Sequence, residues 1–291
     1  MLYTLENEAL KLTVSSVGAE KHSLYGKKSK TEFLWNGDPA YWDGRAPVLF
    51  PIVGRLVNGT YRIGGAEYRL DGHGFAKDSE FTASITGASE IYFLLTADEA
   101  TAAVYPYNFK FGIRYVLERN KLTVAYEIEN RGTVEMPYAV GAHPGFMCPM
   151  NEGEVFTDYY LEFSEPETTE LLPVGDDGFF VRQTKPFLKN ERIIDLNYKL
   201  FVPDALVFRG LKSDSVTLRS KNHGKHVAVN FKGFEYLGIW TRPGAPYVCI
   251  EPWTSLGDYT GFAGEFTDRP GVKTLAPGEM FKISHTITAV E

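Results

Sequence analysis

The chain has 291 residues, of which 44% are hydrophobic and 14% aromatic, a composition typical of a globular protein and not of a disordered chain. Its 37 aspartates and glutamates outnumber its 30 lysines and arginines, and the formal net charge of −7 argues against a nucleic-acid or anionic-membrane partner. The first residues lack the order of a secretory signal, no apolar run is long enough to cross a bilayer, and two cysteines cannot form a disulfide framework, so we expect a soluble cytoplasmic protein.

The dominant pattern along the chain is period-two alternation, which predicts antiparallel strands with one buried face. Residues 61–70 carry a hairpin signal, because two strand-like runs flank Gly64-Gly65 and glycine tolerates positive φ in a two-residue turn. The alternation predicts a second hairpin over residues 109–128, with its loop at 119–121, and a third over residues 216–231.

Helical signals are scarce. Residues 96–99 have capping-box spacing before an alanine-rich stretch that Pro106 ends, which predicts one short helix near residues 97–105. Residues 164–200 are polar and rich in acidic residues, and we expect them to make a long irregular excursion over the surface. The whole pattern predicts an all-β fold: a large antiparallel β-sandwich forming a single domain over residues 1–291, with one or two short helices.

Two segments in the first third of the chain place polar side chains next to predicted strands. Arg55 follows an apolar run, and its guanidinium is either a surface cap or a group that binds vicinal hydroxyls or a carboxylate in a pocket. His73 stands between Gly72 and Gly74, just after a predicted strand. Loops at strand ends often carry binding groups, but this segment also suits an ordinary turn.

His143 is the one titratable residue in the apolar segment 138–146. Pro144 restricts it to extended geometry, so an imidazole held on stiff backbone there can exchange a proton near neutral pH. The alternative is a core histidine that binds a backbone carbonyl.

Residues 247–253 form a nearly all-apolar segment, in which a predicted strand ends in the carboxylate of Glu251 and is followed by Pro252. Burial raises the pKa of a carboxylate, which makes a glutamate a useful base near neutrality. The alternative is a structural ion pair with Arg242. Trp253 either offers a flat apolar surface to the C–H face of a sugar or belongs to the core.

Asp204 stands alone among apolar neighbours and by itself indicates only a turn. The chain has no nucleotide-binding glycine fingerprint and no Gly-x-Ser-x-Gly elbow. His223 and His226 lie three apart in a turn-rich segment, which does not favour a metal-binding face. We therefore expect neither a metal nor another cofactor.

Taken together, these short motifs resemble the aldose 1-epimerase (galactose mutarotase) family, and they are most similar to its shorter, LacX-type bacterial branch. In chain order the motifs are Gly54-Arg55, His73-Gly74-Phe75, Ala142-His143-Pro144-Gly145-Phe146, Asp204 and Glu251-Pro252-Trp253. The resemblance covers nearly the whole chain. It implies a large antiparallel β-supersandwich with an open cleft for a small sugar substrate.

The same resemblance implies a role for each of five residues. His143 would be the general acid at the sugar ring oxygen, and Glu251 would be the general base at the anomeric hydroxyl. His73 and Arg55 would hold ring and hydroxyl oxygens, and Asp204 would bind further hydroxyls. Such a reaction interconverts α and β anomers and needs one acid and one base.

The chain departs from larger galactose mutarotases in the pocket walls. Those proteins have an Asn-Arg pair, a Leu-His-Gly-Gly-type loop and a His-Ser-Tyr-Phe-type segment at the positions of the first three motifs. The substrate could therefore be another hexose or a hexose 6-phosphate, for which Arg45 or Lys77 would supply the extra cation. Two alternatives to a mutarotase are a non-catalytic sugar-binding protein and a glycosidase that uses Asp204 and Glu251.

Overall fold

The computed structural model describes residues 1–291 and contains 23 β-strands and one α-helix. The first twelve strands are β1 (Leu2–Glu6), β2 (Leu10–Ser15), β3 (Lys21–Gly26), β4 (Thr31–Glu32), β5 (Val48–Leu49), β6 (Thr60–Ile63), β7 (Ala66–Arg69), β8 (Thr82–Gly87), β9 (Glu90–Thr96), β10 (Phe109–Glu118), β11 (Lys121–Asn130) and β12 (Met136–Tyr138). The remaining strands are β13 (Gly141–Ala142), β14 (Gly145–Met147), β15 (Tyr159–Leu171), β16 (Lys185–Asp195), β17 (Leu206–Arg209), β18 (Ser215–Ser220), β19 (His226–Asn230), β20 (Tyr236–Trp240), β21 (Tyr247–Trp253), β22 (Lys273–Leu275) and β23 (Met280–Val290). The helix is α1 (Glu99–Val104), and no helix is long and apolar enough to cross a membrane.

Most strands belong to one large sheet of fifteen, in the order β5-β13-β21-β20-β17-β15-β18-β19-β23-β11-β10-β9-β8, with β14 added against β21 and β16 against β15. A four-stranded sheet follows the order β1-β2-β3-β4, and β12-β22 and β6-β7 form two small sheets. The strands of each of these sheets pair antiparallel, as in the β10–β11, β20–β21 and β15–β16 pairs. The all-β, antiparallel fold class expected from the sequence is confirmed.

The three predicted hairpins are present. Strands β10 and β11 alternate buried and partly exposed residues over ten positions each, so the side-chain period matches the buried face that the sequence pattern indicated. Strands β6 and β7 flank Gly64-Gly65, both of which have positive φ, and β18 pairs with β19. Hairpins follow from local pattern and turn chemistry, which is why sequence alone locates them.

The short helix is confirmed, but its cap differs from the expected one. The side chain of Asp98 accepts a hydrogen bond from the backbone of Thr101, and the Thr101 side chain accepts one from the Asp98 N–H. The capping pair is therefore Asp98 and Thr101 and not residues 96 and 99. Both pairs have the same spacing, so the sequence alone did not distinguish them.

The expectation of an irregular excursion over residues 164–200 is wrong. The segment contains the end of β15 and all of β16, which pair antiparallel with several register shifts, joined by a loop over residues 172–184. Strand β16 lies at the side of the sheet and leaves most of its residues exposed. A solvent-exposed strand needs few apolar residues, so its polar composition resembled that of a loop.

The four-stranded sheet covers part of the large sheet. Tyr3 packs edge-on against Phe93 with ring centroids 5.7 Å apart, and the Tyr115 hydroxyl donates a hydrogen bond to the Ala19 carbonyl at 2.6 Å. The main core, a cluster of 62 buried hydrophobic residues, draws on both sheets. Strand β21 lies inside the large sheet between β20 and the β13 and β14 strands, and all seven of its residues are buried. A polar side chain on this strand is therefore removed from water unless it faces a cleft.

Candidate active site

A cleft of about 760 Å³ opens beside β21 and is lined by residues from widely separated parts of the chain. The five residues singled out in the sequence all line it: Arg55, His73, His143, Asp204 and Glu251. Each lies in or near a different strand, so the fold brings together side chains that the sequence spreads over about two hundred positions. The structure thus brings the predicted residues together.

His143 and Glu251 face each other at the floor of the cleft. The Nε2 atom of His143 lies 3.2 Å from the Oε2 atom of Glu251, and their side chains are 12% and 1% exposed. The two atoms are close but are not aligned for a hydrogen bond, so Oε2 of Glu251 is buried without a hydrogen-bond partner. The other ring nitrogen of His143, Nδ1, is also buried without a partner. Both atoms belong to a class of buried polar groups that is nearly always hydrogen-bonded in folded proteins.

The pairing of β13 and β14 with β21 places His143 next to Glu251. Gly141 is paired with Trp253 and Gly145 with Cys249, so the two-residue link between β13 and β14, His143-Pro144, lies opposite Glu251. The N–H of His143 donates a hydrogen bond to the Pro47 carbonyl at 3.0 Å, which ties the link to the neighbouring segment. The stiff backbone expected around His143 is therefore present, and its side chain lines the cleft instead of binding a core carbonyl.

Burial sets the proton affinities of the pair. It raises the pKa of Glu251 well above its usual value, and the nearby Asp204 carboxylate adds to this effect. Burial, with a smaller contribution from the neighbouring His73 ring, lowers the pKa of His143 to about 3. Both shifts favour the uncharged form because a low-dielectric surrounding penalises charge. Burial therefore disfavours the carboxylate of Glu251 and the imidazolium of His143 alike.

His73 lies beside His143, with ring centroids 5.5 Å apart and planes nearly perpendicular at 89°. Its Nδ1 accepts a hydrogen bond from the N–H of Gly54 at 3.2 Å, so Nδ1 carries no proton and the neutral ring is a donor through Nε2. Burial, with smaller contributions from the charges of Lys77 and Arg55, lowers the pKa of His73 to about 4. His73 is thus a neutral hydrogen-bond donor at physiological pH.

Arg55 is exposed in the cleft and forms no ion pair. Its backbone is held firmly, because its carbonyl accepts a hydrogen bond from the N–H of Asp258 at 2.9 Å. Asp258 is itself buried, pairs with Arg269 at 2.6 Å and accepts a hydrogen bond from the N–H of Val57 at 2.8 Å. Gly54 has φ of +75°, and a Cβ there would lie 2.6 Å from the backbone of Gly257, so only glycine fits where these two segments meet.

Arg242, Trp253 and Asp204 have different environments in the folded protein. The ion pair between Glu251 and Arg242 does not form: both residues line the cleft, but the close contact of the Glu251 carboxyl group is with His143. Trp253 is 6% exposed and packs in a cluster of buried hydrophobic residues, so it is chiefly a core residue with one edge at the cleft. Asp204 precedes β17, and its Oδ1 accepts a hydrogen bond from the N–H of Ala205 at 2.8 Å.

The two cations considered for a phosphate group are both engaged elsewhere. Lys77 lines the cleft but its ammonium group is bound to the carboxylate of Asp78. Arg45 lies outside the cleft lining, where its Nε donates to the carbonyl of Asn36 at 2.7 Å and its Nη1 contacts His22.

Sequence reasoning missed two tryptophans that line the cleft, Trp42 and Trp240. Their rings lie 5.0 Å and 5.6 Å from the imidazole of His143, centroid to centroid. Nothing in the local sequence marks Trp42, because tryptophan before Asp43-Gly44 is equally suited to a surface turn. The alternating strand pattern around Trp240 indicated burial without saying which face it meets.

Three possible metal ligands meet at the cleft floor, since the ligand atoms of His143, Cys249 and Glu251 lie within 4.8 Å of one another. Burial raises the pKa of the Cys249 thiol well above its usual value.

Comparison with known proteins identifies relatives along the whole chain. The family model described as Aldose 1-epimerase matches residues 1–282. The chromosomal protein LacX of Lactococcus lactis subsp. lactis is 35% identical, over 99% of this chain and 99% of its own. A galactose mutarotase related enzyme from Lactobacillus acidophilus superposes with a TM-score of 0.94 at 34% identity, covering 100% of this chain and 98% of its own. A galactose mutarotase-like protein from Lactobacillus casei ATCC 334 also gives a TM-score of 0.94, at 26% identity and with 100% of both chains covered.

Proposed function

The chain belongs to the aldose 1-epimerase family, and from that premise we propose that it is a mutarotase that interconverts the α and β anomers of a hexose by general acid–base catalysis. One observation carries the proposal. An imidazole and a fully buried carboxyl group, 3.2 Å apart, face an open cleft with unpaired polar atoms on both. A sugar supplies the matching groups, because its anomeric hydroxyl and ring oxygen are attached to the same carbon.

The proposed reaction moves two protons and breaks one ring bond. Glu251 as carboxylate accepts the proton of the C1 hydroxyl, the bond between C1 and the ring oxygen breaks, and His143 donates a proton to that oxygen. The open aldehyde rotates about its C1–C2 bond and recloses, with Glu251 returning a proton to O1 and His143 taking one back. No group is consumed, and each step leaves one proton on the pair.

The pKa shifts suit a pair that changes roles. Burial disfavours the charged form of both Glu251 and His143. When a sugar hydroxyl donates a hydrogen bond to the carboxyl oxygen, the carboxylate is stabilised and the proton can pass to His143. The two arrangements of this one proton are the states before and after ring opening.

The other three residues are proposed to bind the sugar. His73 donates from Nε2 to a ring or hydroxyl oxygen, since its Nδ1 is occupied by the N–H of Gly54. The guanidinium of Arg55 can donate two parallel hydrogen bonds to vicinal hydroxyls. Asp204 accepts hydrogen bonds from further hydroxyls through its second oxygen.

The charges that line the cleft favour a neutral sugar over a sugar phosphate. Five carboxyl groups line the cleft against three cations, and one of the cations, Lys77, is paired with Asp78. A dianionic phosphate would enter a site with an excess of like charge. We therefore propose an unphosphorylated hexose as substrate.

Polarimetry tests the proposal. Catalytic amounts of the protein should accelerate the optical change of freshly dissolved α-glucose or α-galactose beyond the rate in buffer. Sugar binding without acceleration would instead support a non-catalytic sugar-binding protein. Release of reducing sugar from aryl glycosides would support the glycosidase alternative with Asp204 and Glu251.

A further inference from the structure

Trp42 stands over the imidazole of His143 at the wall of the cleft. We propose that Trp42 is a positioning and specificity-determining residue: one part of its indole fixes the plane of His143, and the exposed part contacts the apolar face of the sugar ring. The sugar contact rests on the proposed mutarotase function, whereas the positioning of His143 is a property of the protein alone.

The rings of Trp42, Trp240 and His143 form an aromatic corner. The Trp42 and Trp240 rings are 5.7 Å apart and nearly perpendicular, at 88°. The imidazole lies within this corner, tilted by 40° to Trp42 and by 78° to Trp240. His73 adds a third neighbour at 89° to the imidazole. Rings on several sides leave His143 little freedom to rotate about its side-chain bonds.

This packing replaces the hydrogen bond that usually orients a functional histidine. In most sites one ring nitrogen is held by a carbonyl or carboxylate, which fixes the ring plane and the tautomer. Here Nδ1 of His143 is buried and has no hydrogen-bond partner, while Nε2 faces Glu251. The orientation of the imidazole therefore depends on its aromatic neighbours, and Trp42 is the nearest of them.

Trp42 is itself held in place from behind. Its carbonyl accepts a hydrogen bond from the indole N–H of Trp35 at 2.8 Å, and its N–H donates to the carbonyl of Asp38 at 2.9 Å. A Cβ at Gly145, in the strand that follows His143, would lie 3.2 Å from the Trp42 ring. The indole thus packs closely against the segment that carries the proposed acid.

The exposed part of Trp42 suits a sugar. Trp42 is only partly buried and lines the cleft, whereas Trp253, the tryptophan that the sequence suggested for this contact, is 6% exposed. An aromatic ring offers a flat apolar surface, and the C–H groups of a hexose form the complementary face. A planar wall favours sugars with an unbroken C–H face and disfavours those with an axial hydroxyl on that side.

The experiment compares Trp42→Leu and Trp42→Phe with the wild type, with Tyr41→Leu as matched control. Tyr41 is the adjacent, partly buried aromatic residue that packs on Trp35 and does not line the cleft. We expect Trp42→Leu to lower kcat on the order of 10- to 100-fold, because misplacing a catalytic group by about 1 Å can cost that much. KM should rise about two- to ten-fold through loss of the aromatic contact. Trp42→Phe should recover most of both, and Tyr41→Leu should leave both unchanged.

A second measurement is independent of turnover. Nitrogen NMR of the histidine side chains should show a single tautomer and a narrow signal for His143 in the wild type, and averaged or shifted signals in Trp42→Leu. Unchanged kcat, KM and imidazole signals in Trp42→Leu would overturn the proposal, as would a Phe variant no better than the Leu variant. If the wild type has no mutarotase activity, the proposed function fails. The imidazole signals then still decide the positioning claim, since an unchanged His143 in Trp42→Leu contradicts it.

Discussion

The Nε2 atom of His143 lies 3.2 Å from the Oε2 atom of Glu251, although more than a hundred residues separate the two in the chain. Strand pairing produces this contact, because Gly141 is opposite Trp253 and Gly145 is opposite Cys249. This contact therefore depends on the backbone register of paired strands. Preorganised groups of this kind avoid the cost of reorganisation during the reaction.

Replacing the proposed base tests its role without changing its shape. We expect Glu251→Gln to lower kcat for mutarotation by about 10²- to 10⁴-fold, the usual worth of one positioned acid or base, while sugar affinity stays near the wild-type value. Polarimetry gives kcat, and sugar-induced changes in tryptophan fluorescence give the affinity.

A second histidine–glutamate pair provides the control. His223 and Glu154 are 3.1 Å apart and largely buried, with side chains 16% and 10% exposed, but they lie outside the cleft lining. Glu154→Gln should therefore keep the wild-type kcat. If Glu154→Gln lowered kcat as much as Glu251→Gln does, the loss would be a general effect of disrupting a buried histidine–glutamate pair. That result would contradict the proposed role of Glu251.

Buried histidines make folding stability fall in mild acid. The pKa of His73 is lowered to about 4 and that of His143 to about 3, and burial lowers the pKa of His285 well below its usual value. Below pH 6.5 the unfolded chain binds protons at these three positions and the folded chain does not, so stability decreases as the pH falls. Glu251 acts in the opposite direction, because its raised pKa lets the folded chain hold one proton that the unfolded chain releases above pH 4.5.

The three histidines outnumber the one glutamate, so unfolding takes up protons on balance between about pH 6 and pH 5, and the free energy of unfolding should decrease as the pH falls through this range. Each proton taken up on unfolding contributes about 1.4 kcal/mol per pH unit. Urea denaturation across this range measures the slope. Replacing His285, a fully buried residue on β23 away from the cleft, by glutamine should reduce the slope by about one proton. An unchanged slope in that variant would show that His285 is already charged in the folded protein.

Breaking the buried ion pair below Arg55 should be costly. The side chains of Asp258 and Arg269 are 1% and 3% exposed, so Asp258→Asn leaves a buried guanidinium without its counter-charge. We expect a loss of about 3–5 kcal/mol in the free energy of unfolding, together with a raised KM because the Arg55 segment loses support. Urea denaturation and polarimetry measure the two effects.

An exposed ion pair gives the comparison for that variant. Lys282 and Glu127 are 3.0 Å apart, with the lysine side chain 64% exposed. Lys282→Ala should cost less than about 1 kcal/mol and leave KM unchanged. Similar losses in both variants would mean that burial of the Asp258–Arg269 pair adds nothing to stability.

The excess of carboxylates in the cleft should make the protein prefer neutral sugars. We expect kcat/KM for α-glucose 6-phosphate to be at least about ten-fold below that for α-glucose at low salt. The difference should shrink as salt is added, because screening weakens the repulsion between like charges. A higher kcat/KM for the phosphate that declines with added salt would show that Arg55 and Arg242 dominate the local field instead.

Local chemistry explains what the sequence predicted well. The hairpin at Gly64-Gly65, the alternation in β10 and β11 and the short helix before Pro106 depend on neighbouring residues, so the sequence alone located them. Strand β16 was misjudged, because an exposed strand at the side of a sheet does not need the apolar period that identifies a buried one. Its pairing with β15 depends on tertiary context.

Without the family resemblance, site residues stood out only where their type was unusual for its surroundings. His143 and Glu251 stood out as titratable groups in apolar segments, and the cleft contains both. Trp42 did not stand out, since its place over His143 results from chain folding and not from local pattern. The Asp258–Arg269 pair was equally hidden, because nothing in a sequence tells a buried ion pair from two surface charges.

The most direct test of the proton-relay account is anomer exchange at equilibrium, measured by NMR for the wild type, His143→Asn, Glu251→Gln and the double variant. We expect the exchange rate to be proportional to the concentration of wild-type protein, and each single variant to exchange at least about 10²-fold more slowly. The double variant should be no slower than the slower single variant, because the two groups act as a unit. No exchange with the wild type, or a double variant whose loss equals the product of the single losses, would contradict the claim that His143 and Glu251 pass protons across one sugar ring.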